Sequence, residues 1–172
     1  MRATQMPRPL ACILRDRIDA DGLAPTRSTL DHFALAGWTE VVREQGEMMQ
    51  VIYGGFGGLV RTDTLESLLR CKTDQPISVI AKWIVRRTAV HLQWNAQTLF
   101  PMFQFDLERM TIRPEVAVAI GELSCVFDDW EVAHWFASAN AWLSGRRPLE
   151  VVFADARAVR NAARADRFIA NG

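Results

Sequence analysis

Helix starts are well marked in this sequence, and they cut much of the chain into short elements. Pro76, Pro114 and Pro148 each stand where an apolar helical pattern begins. Proline suits a first helical residue because its missing N–H has no intrahelical partner there. Asp63, Asp128 and Asp155 are placed to cap three further helices. The pairs Asp63–Glu66 and Asp128–Glu131 have capping-box spacing, in which side chain and backbone satisfy each other's orphan groups. Starts this close together leave room for short helices only, packed against whatever small sheet the rest supplies.

Between these marks the pattern is mixed. The first 25 residues are rich in Pro, Arg and Asp without periodicity and read as a loose arm. Ser28 to Glu44 has rough helical spacing, interrupted at Gly37 and stopped at Gly46. Met48 to Tyr53 is expected to be a strand running into the Gly54–Gly58 turn. The helix at Asp63 carries Leu65, Leu68 and Leu69; the helix at Pro76 carries an apolar stripe of Ile77, Ile80, Ala81 and Ile84. Val90–Trp94 and Thr98–Phe105 read as two strands joined at Asn95-Ala96-Gln97. Pro101, which cannot donate to a ladder, marks the second as an edge. Beyond Asp106 the pattern is helical. Val116, Ala117, Ile120 and Leu123 point inward, then Trp130, Ala133, Phe136 and Ala137. The expected fold is mainly α (α+β), with helices around a small antiparallel sheet. Three segments are expected: 1–60, 61–105 with a helix-turn-helix-like pair and a two-stranded wing, and a helical 106–172.

Twenty basic residues balance twenty acidic ones. The whole-molecule field therefore draws the chain neither to nucleic acid nor to an acidic membrane, and any such binding needs a local patch. No apolar run approaches the ~18 residues of a membrane span, and the N-terminus lacks the apolar core of a secretory signal. Cys12, Cys71 and Cys125 are odd in number and far apart, which excludes a disulfide framework and a CxxC pair and fits the reducing cytoplasm. Trp94, Trp130, Trp135 and Trp142 are expected to share a compact aromatic core.

Motifs for catalysis are absent, and neither catalytic residue, cofactor nor metal is assigned. Glu131-Val-Ala-His134 matches half of a di-iron motif, but such a site needs a second copy and two more glutamates. The Gly54–Gly58 run lacks the last glycine of GxGxxG and is followed by no Gly-Lys-Ser/Thr. An enzyme built on a pocket without motif stays open as an alternative. The helix pair and wing over 63–105 suggest DNA binding, with Lys82, Arg86 and Arg87 on phosphates. Base-reading side chains are few there: Ser78, Lys82 and little else. In the last helix Arg157, Arg160, Arg164 and Arg167 step by three, four and three, placing them along one face. Such a stripe is either a solvated face or a docking face for carboxylates, which arginine grips as a fork; Arg146 and Arg147 extend it.

Two segments carry a resemblance. Trp135-Phe-Ala-Ser-Ala-Asn140-Ala-Trp142-Leu143-Ser-Gly145-Arg146-Arg147-Pro148-Leu149 resembles the toxin-binding domain of the MbcA/ParS/Xre family of bacterial antitoxins. Phe100-Pro-Met-Phe-Gln-Phe-Asp106 is similar to the strand preceding that domain. The likeness covers about residues 98–172. It implies a homodimeric protein that packs on a cognate NAD-consuming toxin with a RES domain, obstructs its cleft and is not itself an enzyme. It further implies that Trp142, Arg146, Arg147, the four arginines of the last helix and Phe168 face that partner. The structural motif would be Trp135 and Leu143 in the core, Asn140 as a cap, Gly145 at positive φ and Pro148 opening a helix. A DNA-binding regulator using 63–105, or an orphan relative with an interaction role, are the alternatives.

Overall fold

The computed structural model describes residues 43–106 and 108–172. Contacts divide the chain into Met1–Gln45 and Gly46–Gly172, and nearly all the described residues belong to the second unit. The arm, the helical pattern from Ser28 through Val42, and Cys12 lie outside the described residues.

Residues 43–54 are helical (α1). The strand expected over Met48–Tyr53 is therefore corrected to helix. Gly46, Met49 and Tyr53 are buried at intervals of three and four while Val51 points to solvent, a helical period and not an alternating one. Gly46 does not stop this helix; it lies inside it. Tyr53 then closes the chain reversal by accepting from the N–H groups of Phe56 and Gly58, with Gly57 and Gly58 at positive φ.

Strand β1 (Leu59–Arg61), helix α2 (Thr62–Leu69), helix α3 (Pro76–Val85), strand β2 (Leu92–Trp94) and strand β3 (Gln97–Pro101) come next. The sheet is antiparallel in the order β1-β3-β2. Asn95 and Ala96, both at positive φ, form the two-residue turn between β2 and β3. Two expectations fail here. β3 is central, not an edge: Pro101 occupies its last position opposite Leu59, and the N–H of Met102, one residue on, reaches the carbonyl of Gly58. The third strand, β1, has three residues without alternation and carries no sequence signal. Nor does Asp63 cap α2. Arg61 holds the cap position, Asp63 lies in the first turn accepting from Thr64 N–H, and Glu66 pairs with Arg70.

The expected stripe of α3 is also rotated. Pro76, Val79, Ile80, Trp83 and Ile84 turn inward, whereas Ile77 and Ala81 face solvent. The inward side packs with Leu65, Leu69, Phe100 and Phe105 into one apolar cluster, where Trp83 tilts over Phe105 with centroids 5.2 Å apart.

After a 3-10 turn at Met102–Gln104, β4 (Phe105–Asp106) pairs with β5 (Thr111–Ile112) as a second, two-stranded sheet. Helices α4 (Pro114–Leu123), α5 (Asp129–Ala137), α6 (Pro148–Val151) and α7 (Ala156–Ala170) complete the unit. Pro114 and Pro148 open α4 and α6 as expected, and Asp155 accepts from Ala158 N–H at the start of α7. The fold is mainly helical with a small antiparallel sheet. The four tryptophans do not form one core: Trp135 is buried, Trp94 and Trp130 are half-buried and Trp142 is exposed. The rings that fill the centre are Tyr53, Phe103, Phe136 and Trp135, in a chain of contacts 5.0–5.7 Å between centroids.

Candidate functional site

The segment 135–149 is built around two local devices. Asp128 and Glu131 close the capping box that starts α5: Glu131 N–H donates to Asp128 Oδ1 at 2.8 Å, and Asp128 N–H to Glu131 Oε2 at 2.9 Å. Glu131 is thereby occupied, and His134 contacts the Ser138 hydroxyl at 3.1 Å while burial holds its pKa below the usual histidine range. Beyond α5, Asn140 is buried and organises a tight loop. Its Oδ1 accepts from Trp142 N–H, and its carbonyl accepts from Leu143 and Gly145. Ser144 and Gly145 both take positive φ to complete that loop, and Leu143 is buried beneath it.

All three polar ends of this loop meet at one carboxylate. Trp135 Nε1 and Asn140 Nδ2 both donate to Asp166 Oδ2 at 2.7 Å, and Trp142 Nε1 donates to Asp166 Oδ1 at 3.0 Å. An indole N–H can only donate, so the two oxygens of one carboxyl group satisfy both tryptophans at once. Trp142 is consequently fixed by both its backbone and its ring, although it is 59% exposed.

The arginines of α7 divide into two pairs. Arg164 and Arg167 both reach the one carboxylate of Glu122 on α4, which draws both heads against that helix. Arg157 and Arg160 are exposed and have no ion-pair partner among the described residues. Phe168 stands 79% exposed near the end of the same helix. Arg146 is exposed; the Arg147 backbone N–H donates to Glu150 at the start of α6.

In the first half, Lys82 and Arg86 are exposed, but Arg87 is not free for a phosphate. Its guanidinium donates to the carbonyls of Ser124 and Phe127 at 2.6 and 2.7 Å, just past the end of α4, and lies 3.8 Å from Asp129. This is a cation placed at the negative end of a helix. His91 meets the same Asp129, 2.8 Å from Nδ1 to the carboxylate. No protein-family model, curated protein or solved structure matches this chain.

Three residues of this arrangement are not evident from sequence pattern. Asp166 falls within the arginine stripe by number, yet it lies seven residues after Val159 and three after Ala163, on the apolar side. That spacing is the signal that marks it. Gln104 is fully buried and pairs edge-on with Val90, accepting from its N–H at 2.8 Å and donating to its carbonyl at 2.9 Å. It thus continues in side-chain form the pairing that β2 and β3 make in backbone. Glu122 becomes relevant only once α4 packs on α7.

Proposed function

We propose that this chain is an antitoxin-like protein that binds and occludes a cognate RES-type, NAD-consuming toxin through its C-terminal helices, without being an enzyme itself. The observation that carries this reading is Trp142, an exposed indole whose orientation is held by Asp166 and Asn140. Interfaces draw most of their energy from a few aromatic and arginine anchors, and an anchor already fixed in place loses little freedom on binding. Arg157 and Arg160, without an ion-pair partner among the described residues, supply cations for partner carboxylates, and the resemblance of residues 98–172 names the partner class. The docking set is accordingly Trp142, Arg157, Arg160 and Phe168, with Arg146 at its margin, while Arg164 and Arg167 serve the α4–α7 packing.

The connectivity helix, strand, helix, helix, hairpin, with sheet order β1-β3-β2, is that of a winged helix-turn-helix and supports a second reading as a DNA-binding regulator. Its chemistry is thin. Of Lys82, Arg86 and Arg87, the last is engaged with the chain's own carbonyls.

The deciding experiment is a mild-salt capture of the tagged protein from its host, with mass spectrometry of the bound fraction. A RES-type protein in stoichiometric amount is expected, and Trp142→Ala or the pair Arg157→Glu/Arg160→Glu should each lower its recovery at least tenfold. Undiminished recovery by all variants would remove the docking face; absence of any such protein would remove the antitoxin reading.

A further inference from the structure

Acids and bases cancel over the whole chain, so a polyanion can be held only by a local patch, and helix α7 carries one. From Arg157 to Phe168 its exposed residues are Arg157, Arg160, Asn161, Arg164 and Phe168, with no acid among them. Arg157, Asn161, Arg164 and Phe168 follow at intervals of four, three and four, which traces one line along a helix, and Arg160 flanks it. The other side of α7 buries Val159, Ala162 and Ala163. Asp166, the one acid within the helix, is turned to that side and meets Trp135, Asn140 and Trp142. Arg157 and Arg160 have no ion-pair partner among the described residues. Arg164 reaches Glu122 through Nε at 3.5 Å, and its side chain stays 57% exposed.

We propose that this face of α7 binds duplex DNA, with the helix laid in the major groove, Asn161 toward the base edges and Arg157, Arg160 and Arg164 on phosphates. The groove is about 12 Å wide and admits a helix. At 1.5 Å per residue the line from Arg157 to Phe168 runs about 16 Å, so cations stand on both sides of Asn161 along it. The residue types fit that surface. Arginine grips a phosphate as a fork and stays ionised. An asparagine amide sets a donor beside an acceptor, the pair that an adenine edge answers, and a phenylalanine ring can rest on a thymine methyl. An acidic protein surface would use the arginines alone and leave the amide in mid-line with no charge to answer. Helix α3 offers the opposite inventory, since its exposed Ile77, Ala81 and Val85 give a groove only hydrocarbon. The inference therefore moves DNA contact from α3 to α7. It goes beyond the antitoxin reading and does not need it. Because Arg157 and Arg160 also belong to the docking set, a toxin and a duplex would compete for them.

The test is fluorescence anisotropy of a labelled, mixed-sequence duplex of about 20 bp, titrated with the full chain at about 50 to 200 mM KCl. Three phosphate contacts predict a slope of log K against log salt of about −2.7, so affinity should fall about fortyfold over that range. The pair Arg157→Glu/Arg160→Glu, at exposed positions, should weaken binding at least tenfold and flatten the slope toward about −1, with unchanged circular dichroism. The pair Lys82→Glu/Arg86→Glu on α3 should change affinity less than threefold. No saturable binding up to about 100 μM protein at the lowest salt, weaker than ordinary non-specific binding, overturns the proposal. So does binding that the α3 pair abolishes and the α7 pair leaves intact. Polyglutamate that displaces the labelled duplex as well as unlabelled duplex does, charge for charge, would make the face a carboxylate dock and likewise overturn it. Toxin capture is read separately by recovery, so either reading can fail without the other.

Discussion

A carboxylate three residues after Ala163 and seven after Val159 shares their side of α7, where both of those residues are buried and Asp166 itself is half-buried. Asp166 is tolerable there because three donors converge on it. Removing it leaves the Trp135 indole and the Asn140 amide buried without a partner, whereas Trp142, being exposed, can turn to water. With roughly 1–3 kcal/mol for each buried donor left unsatisfied, Asp166→Ala should lower stability by about 2–4 kcal/mol. Asp166→Asn should recover more than half of that, since its amide oxygen in the Oδ2 place still accepts from Trp135 and Asn140 and its amide nitrogen then faces only the exposed Trp142. Urea denaturation followed by circular dichroism measures both, and a loss below half a kilocalorie would show that the three bonds are not made in solution. The same logic explains why the residue is hard to find from sequence. Counting charges by spacing groups Asp166 with the arginines, and only its alignment with Val159 and Ala163 separates it.

At the scale of elements, local signals and tertiary ones part company. The starts of α3, α4, α5, α6 and α7 are legible because proline and capping carboxylates act within a few residues. Helix α1 reads locally as a strand because Val51 and Ile52 favour strands, a preference that burial of Met49 and Tyr53 at helical spacing overrides. The inward side of α3 is hidden by its isoleucines, which draw the eye from Val79 and Trp83, and β1 is too short to announce itself. Gly46 shows what local reading omits. A Cβ built on it would lie 2.2 Å from Trp94 Nε1, so two elements distant in sequence meet where only hydrogen fits. Gly46→Ala therefore sets a gain of up to about 1 kcal/mol in helix propensity against an overpacking cost of about 1–3 kcal/mol. The overpacking should win. The thermal midpoint should drop, and in a Trp94→Ala background, where the space is open, the same substitution should raise it. Equal effects in both backgrounds would refute the contact.

Across the whole unit from Gly46, long-range ties join residues 46–106 to the helices that follow Pro114. Arg87 donates to carbonyls of the α4–α5 connection, and His91 lies beside Asp129 at the start of α5. The Tyr53 hydroxyl, at the end of α1, donates to the carbonyl of Ala133 in the middle of α5 at 2.8 Å. Burial pushes the Tyr53 phenol far above its usual range, and this is the only tyrosine in the chain. A raised folded-state value means its contribution is fully present below the unfolded value near pH 10. Above that, each pH unit should cost about 1.4 kcal/mol as the unfolded chain ionises. Tyrosinate absorbance at 295 nm should accordingly stay silent in the native protein and appear only with unfolding. Ionisation with a midpoint near 10 and retained circular dichroism would mean that the hydroxyl reaches water.

These ties also bear on inheritance. Gene segments travel as modules when the joint between them crosses few contacts. A joint near residue 106 would cut the Arg87 and Tyr53 bonds while leaving their carbonyl partners, Ser124, Phe127 and Ala133, on the other piece. A transfer of the helices beyond Pro114 to another chain therefore needs residues 46–106 to travel with them.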